Sequence, residues 1–235
     1  EYYYFTYADI SQNHRPTSIG YAMSKSPLGP YEYKGIIINN AGCDPKTWNN
    51  HGSIVQFGNQ WYVLYHRSTH GSSAMRKACI EPIEFNPDGT INEVEMTSQG
   101  AGAPLDAFKT IYAAQTCWMS GNARIRGMQN NPLKEELGAI RNNDIAVWKY
   151  LDFDTGANQM SIEVKSDLGG EIIVRVDSPN GNILGTFTIP ANTDWKVYET
   201  TIKNISGVHV LWMEWKGPES DSNELFRINW FTFAK

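Results

Sequence analysis

An all-β fold is predicted for this 235-residue chain, and three observations predict it. Short apolar or alternating runs recur along the whole length, each bounded by Gly, Pro, Asn or Asp. Aromatic residues are abundant, with 8 Trp, 12 Tyr and 9 Phe, and aromatics suit a pleated, half-buried surface. Helical periodicity is almost absent. Its strongest instance, "NPLKEELGAI" from Asn131, is short and broken by Gly138.

In chain order, the first half offers seven runs: "YYYFTYA", "SIGYAMSKS", "YEYKGIIIN", "GSIVQFG", "WYVLYHRS", "ACIEPIEFN" and "INEVEM". A Gly/Ala-rich segment without strand pattern, "SQGAGAPLDAFKT" (98–110), then separates the halves. The boundary is placed near residue 107, which gives domains 1–106 and 107–235. The second half offers eight runs: "ARIRGM", "DIAVWKYLDF", "MSIEVKS", "EIIVRVDSP", "ILGTFTIP", "WKVYETTIK", "HVLWMEWK" and "LFRINWFTF".

The first half repeats itself. "YYYFTYAD…SIGYAMSKSPLGPYEY" and "WYVLYHRS…RKACIEPIEFNPDGTI" share one plan: an aromatic strand, a polar loop, a second strand and a Pro/Gly turn. "SPLGPY" and "NPDGTI" occupy equivalent turns, where Pro presets φ and Gly accepts a positive one. Repeated four-stranded units at this spacing indicate β-propeller blades. About two blades are present, too few to close a ring, because each buries its faces against neighbours. The chain opens directly on "EYYYFTYAD", without Met or leader pattern. A fragment is therefore expected, with any secretion signal upstream.

The bulk numbers exclude several functions. A net charge of −5 with no basic run leaves no footprint for nucleic acid. No apolar run approaches the roughly 20 residues of a membrane-spanning helix. Cys43, Cys79 and Cys117 are far apart; an odd count argues against a disulfide framework, while one bridge stays open.

"IGYAMSKSPLGPYEYKGIII", "NHGSIVQFGNQWYVLYHR" and "RKACIEPIEFNPDGTI" together resemble the last blades of family 43 glycoside hydrolases, over about residues 1 to 105. The resemblance implies a five-bladed propeller that hydrolyses arabinoxylan, arabinan and related plant polysaccharides with inversion. Such enzymes use one carboxylate as base and a carboxylic acid as proton donor, far enough apart to admit water. In the family these acids sit in earlier blades, so no catalytic residue is assigned here. Asp9, Asp44, Glu81 and Glu84 are read as non-catalytic, the last two as solvated positions. Two positions carry over. His51, in "NHGS", matches a channel-facing histidine, which implies a calcium ion in the propeller channel. Arg67, in "YHR", matches a basic position beside the sugar, where a guanidinium offers several fixed donors. His66 alternates with Arg67 and is ranked below it. His14 and His70 are read as surface residues.

"LGAIRNNDIAVWKYLDF", "GGEIIVRVDSPNGNILGTFTIP", "DWKVYETTIKNISGVHVLWMEWKG" and "LFRINWFTF" resemble a family 6 carbohydrate-binding module. The resemblance implies a jelly-roll-like β-sandwich that grips sugars between aromatic walls. Trp195 matches one wall. The opposing aromatic is replaced by Ala139, and a frequent Asn by Arg227, so Trp195 and Arg227 are the substrate-binding candidates. Structural calcium in the sandwich is doubtful: "AAQ" (113–115) and Asn229 stand where the family has carboxylates, the ligands a hard cation wants. Trp148, Trp212, Trp215 and Trp230 are read as core. A secreted or periplasmic location follows only from the substrate class. The alternative is a non-catalytic sugar-binding or structural sandwich protein.

Overall fold

A computed structural model describes residues 1–10, 17–43, 50–129, 131–220 and 223–235. Asp44 and His14 lie outside them. The chain forms two compact units, Glu1–Met96 and Thr97–Lys235. No helix among the described residues is long and apolar enough to cross a membrane.

The first unit holds two three-stranded antiparallel sheets. One contains β1 (Tyr3–Asp9), β2 (Ser18–Ser24) and β3 (Glu32–Ile38); the other β4 (Ser53–Phe57), β5 (Gln60–Thr69) and β6 (Ser72–Ile83). Each sheet thus has three strands among the described residues, not four. The two repeated turns are equivalent in detail. Gly29 N–H donates to Ser26 O at 3.1 Å and Gly89 N–H to Asn86 O at 2.8 Å, with glycine φ values of 85° and 84°. A side chain would be strained at both. "INEVEM" forms no strand; Ile91 and Val94 make only isolated bridges, to Phe85 and Ile38. Ile91 is nonetheless buried beside Ile19, Tyr21, Ile37, Val63 and Tyr65. Tyr21 Oη donates to Ile91 O at 3.0 Å and accepts from Ile91 N–H at 2.8 Å.

The second unit is a sandwich of two six-stranded sheets. Its strands are β7 (Leu105–Asp106), β8 (Ile111–Tyr112), β9 (Trp118–Met119), β10 (Arg124–Met128), β11 (Asn131–Ile140) and β12 (Ile145–Asp152). They continue with β13 (Ala157–Ser166), β14 (Gly170–Val176), β15 (Ile183–Ile189), β16 (Asn192–Ile205), β17 (Val208–Lys216) and β18 (Phe226–Ala234). One sheet runs β10-β11-β18-β13-β16 with β8 on β18; the other runs β15-β14-β17-β12-β7 with β9 on β12. Between them lie Trp148, Trp215, Phe226, Phe231, Ile162 and Val174, all fully buried. Alternation sends Ile162 and Val164 of β13 inward and Glu163 and Lys165 outward.

The units divide between Met96 and Thr97, ahead of residue 107. The reason is that the Gly/Ala-rich segment is tied to the sandwich: Leu105 and Asp106 pair with Leu151 and Asp152, and Ala107 O accepts from Phe233 N–H at 3.0 Å. The one segment with a helical alternative is strand β11. Of the four tryptophans read as core, Trp148 and Trp215 are, but Trp212 and Trp230 are half-buried. Trp212 packs on the outside of its sheet against Trp118, ring centroids 6.1 Å apart. All three cysteines are free thiols.

Candidate functional site

In the first unit the register decides which side chains meet. Ser53 pairs with Leu64 and Ile54 with Val63, so continuing the ladder sets His51 across from His66. Their rings meet edge to face, with centroids 4.6 Å apart. Gly52 is required between them and the strand: a Cβ there would stand 2.2 Å from Leu64 O, so only glycine lets the "HG" segment approach β5. Arg67 is one residue on and therefore faces the other way. His51 and Arg67 do end up at the same end of the sheet, yet His51 is joined by His66, the residue ranked lower from sequence.

Arg67 is 5% exposed. It is two residues before the end of β5 and is no solvated strand-end arginine. It lies on the face that also carries Tyr65, Cys79 and Glu81, by the pairs Tyr65↔Cys79 and Val63↔Glu81. Glu81 is buried too, which corrects its reading as a solvated position; Glu84 is exposed as expected. Tyr65 Oη donates to Glu81 Oε1 at 3.3 Å. Burial, with Cys79 next in effect, holds the Tyr65 phenol far above the ordinary tyrosine range. Asp9 is also buried, against Gly20, and accepts the Tyr33 hydroxyl at 3.0 Å. The pattern that marks a strand end in sequence hides this, because alternation reports two faces and not whether a second sheet covers the polar one. His70 stands in the β5–β6 turn with its Nδ1 2.7 Å from Thr69 Oγ1.

In the second unit, Ala139 and Arg227 converge on a residue with no motif of its own, Glu224. Its Oε2 accepts from Ala139 N–H at 2.6 Å, and Arg126 Nη2 reaches both its oxygens at 2.7 Å. Arg227 Nε donates to it as well. Arg126 Nε continues to Glu136 Oε1 at 2.8 Å, passing flat over Gly138, where a Cβ would touch its guanidinium. The acids lie deep, with side chains 4% exposed for Glu136 and 10% for Glu224. Burial alone would raise the Glu224 carboxyl; the hydrogen bonds and charge of Arg126 override it and leave its pKa lowered. An ionic network thus occupies the place where the resemblance implies a second aromatic wall.

Trp195 is half-buried. It belongs to an irregular stretch of β16: Asn192 pairs with Ser166 and Lys196 with Val164, so Thr193, Asp194 and Trp195 together oppose Lys165. Lys165 in turn pairs with Arg227. Trp195, Lys165 and Arg227 therefore form one row across three adjacent strands. Among the described residues no aromatic ring faces Trp195.

Few side-chain oxygens stand at the two positions considered for calcium. In the sandwich, Asn229 donates its amide to Glu163, Gln115 Oε1 accepts from Tyr112 N–H at 2.9 Å, and Ala113 and Ala114 offer no side-chain oxygen. At His51 the partner is a second imidazole, and a hard cation wants oxygen. No three possible His, Cys, Asp or Glu ligands cluster anywhere among the described residues.

The comparisons follow the same division. The profile of the glycosyl hydrolases family 43 matches residues 1–91 and that of the carbohydrate binding module (family 6) matches residues 113–235. A xylosidase/arabinosidase of Thermoclostridium stercorarium is 30% identical over 96% of this chain and 53% of its own length. A crystal structure of a family 43 arabinoxylan arabinofuranohydrolase from Bacillus subtilis, in complex with cellotetraose, is 28% identical with a TM-score of 0.58. It covers all of this chain and 52% of its own. A family 6 module from Clostridium stercorarium, in complex with cellobiose, is 27% identical with a TM-score of 0.51 over 57% of this chain and 99% of its own. The chain thus spans about half the length of these two longer relatives. It belongs to the family 6 carbohydrate-binding modules over residues 113–235, and the stretch ahead of that module, residues 1–91, is similar to family 43 glycosyl hydrolases.

Proposed function

We propose that residues 113–235 hold an oligosaccharide of plant cell-wall type, and that residues 1–91 contribute to the pocket of an arabinofuranosidase- or xylosidase-like hydrolase acting on the same polysaccharide. The observation that carries the binding role is the row Trp195–Lys165–Arg227: an indole platform beside two cationic hydrogen-bond donors. Stacking on Trp195 orients the sugar ring, and Arg227, held by Glu224, addresses its oxygens.

In the first unit the buried Arg67 is the group proposed to address the sugar, while His51, which meets His66 on the opposite face, is the proposed metal ligand. A calcium ion at His51 would need carboxylate or carbonyl ligands beyond the pair of imidazoles. Hydrolysis would proceed with inversion through an acid and a base outside this chain. What supports that assignment is the engagement of the buried carboxylates here: Asp9 accepts from Tyr33 and Glu81 from Tyr65. The substrate class is met outside cells, so a secreted or periplasmic location belongs to the same proposal.

A second reading, a sandwich that serves only as structure, is favoured by the ionic network at Ala139. One pair of assays separates the readings. The chain is tested for retardation in a gel containing arabinoxylan and for turnover of aryl arabinofuranoside and aryl xyloside. Retardation without turnover is expected. Neither would leave the structural reading, and turnover would return Asp9 or Glu81 to the catalytic candidates.

A further inference from the structure

The proposed sugar site is richer in donors than in acceptors. Lys165 and Arg227 pair directly across β13 and β18. Their chain neighbours Val164 and Ile228 enter the core, so both cationic side chains stand on the outer face. Trp195 joins them one strand away, because Lys196 stands across from Val164 and alternation turns Trp195 to the Lys165 side. Adjacent strands lie about 4.8 Å apart, so the row spans about 10 Å across its outer strands.

The charges on this face are unequal in availability. Glu136 and Glu224 are buried and are already claimed by Arg126, Arg227 and the Ala139 N–H. Glu163, the next acid along β13, accepts from Asn229. Asp194, in the irregular stretch with Trp195, makes no ion pair among the described residues, nor does Lys165. Arg227 uses only its Nε, leaving the terminal nitrogens of its fork without partners among the described residues. What remains beside the indole is an ammonium and half a guanidinium against the single Asp194 carboxylate, so cationic donors are in excess. The two cations can only donate. Sugar hydroxyls donate and accept, so a neutral ring makes less use of these donors than an acid does. A carboxylate only accepts, and it is the group a guanidinium fork fits.

We propose that this site selects an acidic sugar: a uronic acid residue stacks on Trp195 and its carboxylate is held by Arg227 and Lys165. The inference rests on the binding role proposed above for residues 113–235 and adds the ligand's chemical class.

The test is calorimetric titration of the full chain, at low salt, with xylotetraose and with xylotetraose bearing one glucuronic acid branch. The acidic ligand is expected to bind about tenfold more tightly. The advantage, read as the ratio of the two affinities, should shrink as salt is raised and disappear in Arg227→Gln. Because Arg227 is tied to Glu224, Lys165→Gln provides a second variant with no ion pair to lose, and it should cut the acidic preference with the fold intact. Equal affinity for both ligands, or a preference that survives both substitutions, overturns the inference and leaves the binding role standing. Binding of neither ligand overturns both.

Discussion

Glu224 is the residue on which the proposed sugar site depends. It receives two arginines and one backbone N–H, and its side chain is 10% exposed. Removing one partner from a mostly buried ionic group leaves charges uncompensated. Glu224→Gln is therefore expected to destabilise the sandwich by about 2–3 kcal/mol at neutral pH, read by urea unfolding. The pH dependence follows from the lowered carboxyl. Its contribution is complete above the ordinary value of 4.5 and is lost as the pH falls below that through the depressed folded value. The gap between wild type and Glu224→Gln should narrow as the pH falls below 4.5, and a gap that stays constant would count against the network. Gly121 makes a second residue-scale prediction. It has φ of 66°, and a Cβ there would collide with the Asp144 carboxylate, which accepts from the backbone N–H groups of Asn122 and Arg141. Gly121→Ala should lower stability by about 2 kcal/mol or more, as measured by thermal unfolding; a neutral effect would mean this loop is free to rearrange. The sequence made Ala139 and Arg227 visible as departures from a motif. It left Glu224 invisible, since a single acid three residues before Arg227 looks like any solvated one until the fold brings Arg126 and Ala139 to it.

Individual strands were mostly legible because alternation and turn residues agree. "SPLG" and "NPDG" were readable as equivalent turns, and both close with the same hydrogen bond. β11 was harder, since Lys134, Glu135 and Glu136 carry helix propensity that pairing with β10 and β18 overrides. "INEVEM" failed in the other direction: its alternation reports a buried face, with Ile91 and Met96 inside, while the backbone finds only isolated partners. β1 carries the prediction at this scale. It is an edge of its sheet among the described residues, with Phe5 58% exposed and Tyr3, Tyr31 and Tyr33 exposed near it. Such an aromatic edge invites strand pairing between molecules. Phe5→Lys is expected to reduce concentration-dependent self-association in size-exclusion chromatography, and unchanged association would place the contact elsewhere.

At the scale of the whole molecule, two hydrophobic cores with no shared member predict two unfolding events. Ile37 and Ile162 are fully buried, one in each core. Ile37→Ala and Ile162→Ala should each cost about 3 kcal/mol and each move one calorimetric transition only; joint movement would show that the units unfold together. Composition and repeat spacing were enough to see two β units, but not where one ends. The Gly/Ala-rich stretch reads as a linker because it lacks alternation, whereas its backbone is pinned to the sandwich through Leu105, Asp106 and Ala107. The outward faces were the other blind spot: Trp212 and Trp230 alternate like core residues, and a strand cannot state which of its two faces meets the opposite sheet. The central claim, that the sandwich still holds sugar through the one aromatic wall it retains, is tested most directly by titrating arabinoxylan oligosaccharide into the wild-type chain and into Trp195→Ala. Measurable binding that Trp195→Ala abolishes is the predicted result; binding undiminished by the substitution, or none in the wild type, would contradict it.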